Sequence, residues 1–514
     1  MGGSASLRGC LGASGARRSR GAMIVTVPTH DAPAQTVHAT SSAVEPVFVR
    51  TAGAPGESVQ ALVTSDDLDA LITQTSGRLT PDWTAWAEIL AFGAPLAGRT
   101  PFAGVRRLQP GESATITADG VAVSRDAWSW EDVAPESDLD PRQLTDDVLE
   151  ALREEIRQAA LLGPLNPMLS GGRDSRILAS LAAQEAPDGL IAWTTSSDTG
   201  TSMEELVAAR TASALGLEQR IVPGSVVDFP DDARDYGRIV HHMASFHIWL
   251  MPVARVIRGA AEDGPRGAVL DGLGGGVFLG GGFPDDDAPS DVSDTALMDS
   301  RFARLGRYLD AAEEILAPGV GAMLEERSRA DFEQVARPLL RHPHGATLTA
   351  YLTRTLPGIS LAPAKVLGWA APARMPIMAE EVVTRALRVP ASRKRDGAWY
   401  PHLLERADSR LTGLPTAADL TRRRQHVRRI ASVESAEWLR RLIVPSPAGE
   451  LLSPTLREAP PEEWAAQLST TKAQHLLRGL AMMALWAEDH ADRLTEVQPD
   501  LLPTAGARGT IHHG

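Results

Sequence analysis

The chain has 514 residues, of which 43% are hydrophobic and 23% are charged, enough for two or three domains with large cores. Its formal net charge of −14 argues against a nucleic-acid binder, and no apolar run approaches the ~20 residues that a membrane span needs. Cys10 is the only cysteine, which excludes a disulfide framework and a thiolate metal site and favours the reducing cytoplasm.

Both ends of the chain are predicted to be disordered tails, at residues 1–45 and 506–514. The first 22 residues are rich in Gly, Ser and Arg and contain no acidic residue, a composition shared with organellar transit peptides. Because no apolar segment follows, a tail that precedes a later start at Met23 is favoured, and the choice between Met1 and Met23 stays open.

Residues 46–130 predict a small unit that contains β-structure. Two alternating runs between Ala114 and Ser124, joined by Asp119-Gly120, predict a hairpin. The run Pro81 to Phe92 predicts a helix. After a linker at 131–140 that contains Pro135, helical periodicity starts the second unit, which we place at 131–505.

The most informative segment is a strand, a glycine turn and a helix start between residues 166 and 183. Met168 and Leu169 end the strand, Gly171 and Gly172 lie in the turn, and Ile177 to Ala183 predicts the helix. Backbone N–H groups and the macrodipole at a helix start bind anions, and adjacent glycines let the main chain approach a phosphate closely. The segment therefore predicts a phosphate site.

Three side chains of the turn suit the same site. Ser170 and Ser175 offer hydroxyl donors, and Asp174 offers a hard oxygen ligand for a phosphate-bound Mg²⁺. The simpler alternative is a tight turn in which Asp174 or Ser175 only caps the helix.

Strands alternate with helices after this turn, which predicts an α/β fold with a doubly wound parallel sheet. The next strand runs from Leu190 to Thr195, a helix from 203 to 215, and a glycine-rich loop follows a strand within Ala268 to Phe283. Ligands of such sheets lie beyond the carboxyl ends of the strands, which is where the turn from Ser170 to Ser175 falls. Helical periodicity from about 296 to 490 predicts a helical C-terminal extension.

The run Ser170-Gly171-Gly172-x-Asp174-Ser175 resembles the pyrophosphate-binding loop of the N-type ATP pyrophosphatases. The segments 203–217, Leu270 to Gly282 and Arg374-Met375-Pro376 are similar to those of asparagine synthetases. The resemblance implies an ATP-pyrophosphatase domain at 131–505, preceded by a small, degenerate glutaminase-like α+β domain at 46–130.

Enzymes of that superfamily activate a carboxylate on the α-phosphate of ATP, release pyrophosphate, and form an amide when an amine displaces AMP. The resemblance implies ATP and Mg²⁺ as cofactors, Asp174, Ser175 and Arg424 as catalytic residues, and Asp174 and Asp271 as metal ligands. The implied nucleotide-binding residues are Leu169, Ser170, Gly171, Gly172, Asp174, Ser175, Thr194 and Gly272.

The chain departs from asparagine synthetases in lacking any cysteine within residues 11–514, so it has no glutaminase nucleophile. This departure favours the branch of lasso-peptide cyclases, which close an Asp or Glu side chain of a core peptide onto its amino terminus. The implied partners are a precursor core peptide, a leader peptidase and a leader-recognition protein, with no nucleic acid and no membrane. The alternatives are a β-lactam synthetase, an ammonia-using asparagine synthetase, or a nucleotide-binding scaffold without catalysis.

Two further departures concern charged residues. The position of the family's second Mg²⁺-binding carboxylate falls at Gly276, for which Asp271 is the nearest replacement and Asp285 to Asp287 an alternative. The family's late lysine falls in a region with only arginines, Arg422 to Arg424 and Arg428-Arg429, of which at most one is expected to point inward.

Overall fold

A computed structural model describes residues 35–50, 63–64, 67–73, 77–117, 120–195, 203–260, 267–283, 285, 291–420 and 429–503. No helix among these residues is long and apolar enough to cross a membrane. The predicted tail at 506–514 and Arg424 lie outside the described residues.

Short strands and two helices form the first part of the chain. They are β1 (Gln35–His38), β2 (Phe48–Arg50), β3 (Val63–Thr64), α1 (Leu68–Thr73), α2 (Trp83–Phe92), β4 (Val105–Arg107), β5 (Glu112–Thr117) and β6 (Gly120–Arg125). Two antiparallel sheets result, with strand orders β1-β5-β6 and β3-β2-β4. The predicted hairpin is confirmed as β5 and β6, and the likeness of this unit to a glutaminase stays a prediction.

The predicted tail at 1–45 is too long, because residues 35–45 are ordered. Val37 is buried and pairs with Ala114 of β5, so β1 adds a third strand to the hairpin. The sequence did not predict this strand because its hydrogen-bond partners lie 75 or more residues later in the chain. The periodicity of a four-residue segment does not report such a distant pairing.

A parallel sheet occupies the centre of the molecule. Its strands are β7 (Leu165–Pro167), β8 (Ile191–Thr195), β9 (Glu218–Val222), β10 (Ala268–Leu270) and β11 (Ala373–Arg374). They lie in the order β11-β10-β7-β8-β9, with β7 and β8 joined by a parallel bridge between Met168 and Trp193. Leu169 N–H donates to Trp193 O at 2.7 Å and extends this pairing. The predicted parallel α/β architecture is confirmed.

Both faces of this sheet are covered. Trp193 and Val269 belong to one hydrophobic cluster, whereas their chain neighbours Ala192, Ala268 and Leu270 belong to another. Successive side chains of a strand point to opposite faces, so two separate cores on one set of strands require helices on each side.

The helices that cover and extend the sheet are mostly short. They are α3 (Pro141–Ala160), α4 (Arg173–Glu185), α5 (Met203–Leu215), α6 (Phe229–Ile239), α7 (Met251–Ala260), α8 (Asp294–Leu305), α9 (Ala312–Ile315), α10 (Val320–Ala336), α11 (Gly345–Ala350), α12 (Gly368–Ala370), α13 (Glu380–Arg388), α14 (Ala391–Lys394), α15 (Tyr400–Ala407), α16 (Ala417–Leu420), α17 (Val433–Ile443), α18 (Pro454–Glu458), α19 (Pro461–Leu468) and α20 (Thr471–His490).

Tighter and wider turns connect these helices. The 3₁₀ turns are Ile248–Leu250, Arg307–Ala311, Arg337–Leu339, Pro376–Met378, Arg395–Gly397, Ser409–Leu411, Arg429–Ala431 and Pro447–Leu451. The π-helical segments are Gly275–Leu279, Tyr351–Ile359 and Ala362–Leu367. Pro357 and Pro363 lie inside the last two; a proline has no N–H to donate and obstructs the carbonyl four residues before it, which favours a wider turn.

The amino-terminal unit shares its main core with the C-terminal helices. Trp86 of α2 is fully buried, and its ring centroid lies 5.1 Å from that of Trp486 in α20. Phe48 of β2 joins the same hydrophobic cluster, which also contains the sheet residues Trp193 and Val269. The boundary predicted near residue 130 therefore does not coincide with a gap in the core.

Candidate active site

The carboxyl ends of β7, β8 and β10 meet at the predicted phosphate turn. Met168 N–H donates to Leu270 O at 2.8 Å, so the strand that precedes the turn is held between its two neighbours until Leu169. The chain leaves the sheet at Ser170, and α4 begins three residues later. Ligands of parallel sheets bind beyond these strand ends, where an opposing helix start adds N–H donors.

The two serines of the turn bond to each other rather than cap the helix. Ser170 Oγ and Ser175 Oγ lie 3.0 Å apart, and Ser170 N–H donates to Ser175 Oγ at 3.1 Å. Gly172 N–H donates to Ser170 Oγ at 3.1 Å, and Gly172 itself is the N-cap of α4. The capping alternative does not describe this turn, because neither Asp174 nor Ser175 is the N-cap residue.

Asp174 is enclosed by the second glycine-rich loop. A Cβ at Gly275 would lie 1.9 Å from Asp174 Cγ, so only glycine leaves room for the carboxylate. The Tyr400 hydroxyl donates to Asp174 Oδ1 at 2.5 Å from the start of α15. Two segments that are distant in sequence thus fix the direction in which this carboxylate points.

A second carboxylate, Asp271, follows β10 and faces the same cavity. Its Oδ1 accepts from Leu273 N–H at 2.9 Å. Burial raises the pKa of Asp271 to about 6. Burial also raises the pKa of Asp174 to about 6, and the charge of Asp271 adds to that rise against the Tyr400 hydrogen bond. Two carboxylates that are costly to ionise side by side are a suitable pair of oxygen ligands for Mg²⁺, whose charge would offset the cost.

A cavity of about 560 Å³ extends from the turn. Of the predicted site residues, those that line it are Leu169, Ser170, Gly172, Asp174, Ser175, Asp271 and Gly272. Gly171 does not; a Cβ there would lie 2.9 Å from Ala417 Cβ and 3.1 Å from Glu204 Cα, so this glycine permits close packing of α5 and α16.

Thr194, predicted to lie beside the nucleotide, is placed behind the cavity wall. Its hydroxyl donates to Leu169 O at 2.8 Å and accepts from Gln219 Nε2 at 2.8 Å. The next residue, Thr195, lines the cavity instead. The reason is the two-residue period of a strand: an error of one residue in the strand end exchanges the inward and outward faces.

The arginines that flank Asp174 have different surroundings. Arg176 is fully buried and donates to the carbonyls of Gly171, Leu414 and Pro415 at 3.2, 2.8 and 2.6 Å. Arg173 lies over the Tyr400 ring, 5.5 Å from its centroid. Arg176 therefore fixes the turn to the segment before α16 and is not directed at a phosphate.

The asparagine synthase family model matches residues 147–495. The chain belongs to the asparagine synthase family. No curated protein matches it. Among solved structures, NMN synthetase from Francisella tularensis shares 19% identity over 34% of this chain and 72% of that chain, with a TM-score of 0.21. Similarity at this level does not define a shared activity.

As a member of the asparagine synthase family, the protein is an ATP-dependent ligase by family, and the resemblance inferred from the turn is confirmed at that level. The family match covers the parallel sheet, the turn and the helical extension and begins after the amino-terminal unit.

This asparagine synthase-family protein has Gly276 where the family has its second Mg²⁺-binding carboxylate, and the structure shows what surrounds Gly276 and its possible replacement Asp285. Gly276 is exposed, and a Cβ added there would meet nothing within 4 Å, so the position has room for a side chain. Asp285 does not turn toward the cavity; its Oδ1 accepts from Ala346 N–H at 2.7 Å and Thr347 N–H at 3.1 Å at the start of α11. Asp286 and Asp287 lie outside the described residues, as does Arg424.

Sequence reasoning missed two residues that reach the site from distant segments. Tyr400 contacts Asp174 from α15, and Arg354 lines the cavity from the π-helical segment Tyr351–Ile359. Nothing in the sequence around Tyr400 points to Asp174. No local signal marks Arg354, because one arginine within a long region of helical periodicity gives no indication of the cavity that it lines.

Proposed function

We propose that the protein is an ATP- and Mg²⁺-dependent ligase that adenylates a carboxylate and passes the acyl group to an amine, with release of AMP and pyrophosphate. The observation that carries the proposal is the arrangement of Asp174, which lies at the helix start beside the turn and faces Asp271 across one cavity. N–H donors for a phosphate, at the start of α4, therefore lie beside two carboxylates that can bind a divalent cation.

Each part of the site has a chemical task in this reaction. The turn from Ser170 to Ser175 binds the departing pyrophosphate through backbone N–H groups that are already oriented, which lowers the barrier to its release. Asp174 and Asp271 would hold Mg²⁺, which supplies positive charge to that leaving group when bound. Tyr400 and Gly275 keep the Asp174 carboxylate in place without taking part in the chemistry.

For the substrate we propose a core peptide whose Asp or Glu side chain is closed onto its own amino terminus, as in a lasso-type macrolactam. Residues 11–514 contain no cysteine that would release ammonia from glutamine, so an amine within the substrate is favoured. The cavity also has an apolar wall, with Trp249, Leu305 and Ile359, that suits a peptide. Holding the amine and the acyl carbon together contributes roughly 7–11 kcal/mol in well-oriented reactions. A leader peptidase and a leader-recognition protein would supply this peptide.

The first prediction concerns Asp174→Ala. We expect ATP–pyrophosphate exchange, measured with a linear peptide that has a free amino terminus and an Asp or Glu side chain, to fall at least about 100-fold, because the pyrophosphate loses its cation site. Asp310→Ala is the matched control, since Asp310 is exposed and pairs with Lys472 on the surface. Exchange at the wild-type rate in Asp174→Ala would refute the role of this carboxylate.

A second candidate function is a nucleotide-binding scaffold without catalysis, which the missing carboxylate at Gly276 favours. Both candidates bind Mg²⁺ and ATP, but only the ligase forms AMP. Measurement of AMP in the presence of the peptide separates them: accumulation excludes the scaffold, and ATP binding without AMP excludes the ligase.

A further inference from the structure

A second group of possible metal ligands lies where the amino-terminal unit meets the turn after α6. Asp67 and Asp69 flank the first residue of α1, and His241 lies two residues beyond the end of α6. One carboxylate oxygen of each aspartate and one ring nitrogen of His241 all lie within 4.8 Å of one another. None of the three residues lines the cavity at the phosphate turn. We call them the Asp-His cluster.

His241 is the buried member of the Asp-His cluster. Its exposed fraction is 5%, and within the described residues neither of its ring nitrogens makes a hydrogen bond. Nδ1 lies 3.2 Å from Asp69 Oδ2, so the imidazole is directed into the cluster. The ring of Phe48 packs against it, with centroids 5.8 Å apart, and offers no polar atom. A buried imidazole without a hydrogen bond is costly, and a bound ligand would offset that cost.

The two aspartates supply more negative charge than one histidine can neutralise. Carboxylate oxygens this close repel each other, and a proton held between His241 and Asp69 compensates only one of them. In the part of the chain that the structure describes, Asp69 pairs with no lysine or arginine. Asp67 Oδ1 accepts from Ala70 N–H at 3.1 Å, but a carboxylate has a second oxygen, so this cap is compatible with a ligand role.

The adjacent residue, His242, has a different arrangement. It is equally buried, and its Nε2 lies 3.3 Å from Asp489 Oδ2. Asp489 also accepts from Arg238 Nε at 3.0 Å and from Arg238 Nη2 at 2.8 Å. An arginine therefore already compensates the one carboxylate that faces His242, whereas two carboxylates face His241.

We propose that the Asp-His cluster binds a divalent transition-metal cation of the Zn²⁺ type. Zn²⁺ accepts imidazole nitrogen together with carboxylate oxygen, whereas Mg²⁺ and Ca²⁺ prefer oxygen ligands alone. Binding would draw the ligand atoms to about 3.4 Å from one another, the spacing of a tetrahedral site with bonds of about 2.1 Å. The side chain of Asp69 is 48% exposed, so water can reach the cluster and supply the fourth ligand.

Such a cation would join two parts of the chain that are distant in sequence. It would hold α1, in the amino-terminal unit, against the turn at His241. The same turn leads to His247 and Trp249, which line the cavity at the phosphate turn. The amino-terminal unit would thereby gain a metal-dependent attachment to a segment that shapes the proposed active site.

The test is a calorimetric titration of the full-length protein, freed of metal by chelation, with Zn²⁺ in the presence of excess Mg²⁺. We expect a wild-type Zn²⁺ site whose affinity falls about tenfold or more in Asp69→Asn and in His241→Asn. Asparagine tolerates the left-handed backbone of His241, whose φ is 54°, so the turn is retained. Asp489→Asn and His242→Asn are the matched controls and should change the Zn²⁺ affinity less than about twofold.

Thermal unfolding provides a second measurement. Zn²⁺ should raise the midpoint of the wild type and of Asp489→Asn more than that of Asp69→Asn, because only the native state forms the site. Full Zn²⁺ affinity in both Asp69→Asn and His241→Asn overturns the proposal, as does a wild type that binds no Zn²⁺. A site that is lost in Asp174→Asn but kept in Asp69→Asn belongs to the phosphate cavity and also overturns it. None of these outcomes requires ligase activity, so the proposed function is tested separately.

Discussion

The Asp271 side chain shows how a functional residue can weaken the fold that holds it. Burial raises its pKa from 3.8 to about 6, so ionisation is easier in the unfolded chain than in the folded one. The free energy of unfolding therefore decreases as pH rises from about 4 to about 6, and the whole penalty is present above pH 6.

We predict that Asp271→Asn stabilises the metal-free protein by about 1–3 kcal/mol at pH 7.5, since the neutral amide avoids this penalty and still accepts from Leu273 N–H. Thermal unfolding should show a smaller gain at pH 4.5, where the wild-type carboxyl is largely protonated. Mg²⁺ should stabilise the wild type more than the variant at pH 7.5. A gain of equal size at both pH values would contradict the assigned cause.

Which single residues could be predicted depends on whether their partners are local. Ser170, Asp174 and Ser175 were found because all the chemistry of the turn lies within six consecutive positions. Tyr400 donates to Asp174 across more than 200 residues, and no periodicity reports such a contact. The prediction named Thr194, whereas Thr195 lines the cavity. This is an error of one residue at the end of a strand, where few alternating side chains remain to define which face a residue belongs to.

At the scale of elements, the π-helical turn Gly275–Leu279 is shaped to accommodate α4. Gly275 and Gly276 are adjacent and neither has a positive φ angle, but their surroundings differ. The first contacts the Asp174 carboxylate, and the second contacts nothing within 4 Å. These two positions are a matched pair for mutation.

We predict that Gly275→Ala displaces Asp174 and weakens Mg²⁺-dependent binding of α,β-methylene-ATP about tenfold or more, because the added Cβ overlaps the carboxylate. Gly276→Ala should change that affinity less than about twofold, since its Cβ enters open space. Calorimetric titration of both variants provides the measurement. If both variants lose the same nucleotide affinity, a general disturbance of the turn Gly275–Leu279, and not the contact with Asp174, is the cause.

Elements with a regular period were predicted well, and those interrupted by proline were not. The helix expected at 203–215 has these bounds in the structure, and the helical periodicity expected up to about 490 ends with the helix Thr471–His490. The segments around Pro357 and Pro363 depart from 3.6 residues per turn, so their inward faces could not be read from spacing. Arg354 lies in one of them, which is why its place in the cavity lining had no sequence signal.

At the scale of the whole molecule, α2 and α20 form a shared layer between the amino-terminal unit and the synthetase part. The ring centroids of Trp83 and Trp86 lie 6.3 and 5.1 Å from that of Trp486, and the ring centroid of Phe102 lies 5.7 Å from it. The division predicted near residue 130 rests on the linker-like stretch 131–140, and sequence alone gives no measure of how much surface two units bury against each other.

We predict that Trp486→Ala lowers the free energy of unfolding by about 3–5 kcal/mol, because it leaves a cavity between these units. Differential scanning calorimetry should show one transition in the wild type and a lower midpoint in the variant. Trp438→Ala is the control, since Trp438 is only partly buried and should cost clearly less. Two separate transitions in the wild type would indicate that the two units unfold independently.

The layer formed by α2 and α20 has a practical consequence for manipulating the protein. If the backbone were cut in the exposed stretch that precedes α3, each fragment would present one half of the tryptophan cluster to water and neither would be soluble alone. Produced together, the two fragments should reassemble around that cluster. Their recombination could then be used to switch ligation on at a chosen time, with tryptophan fluorescence as the direct signal of assembly.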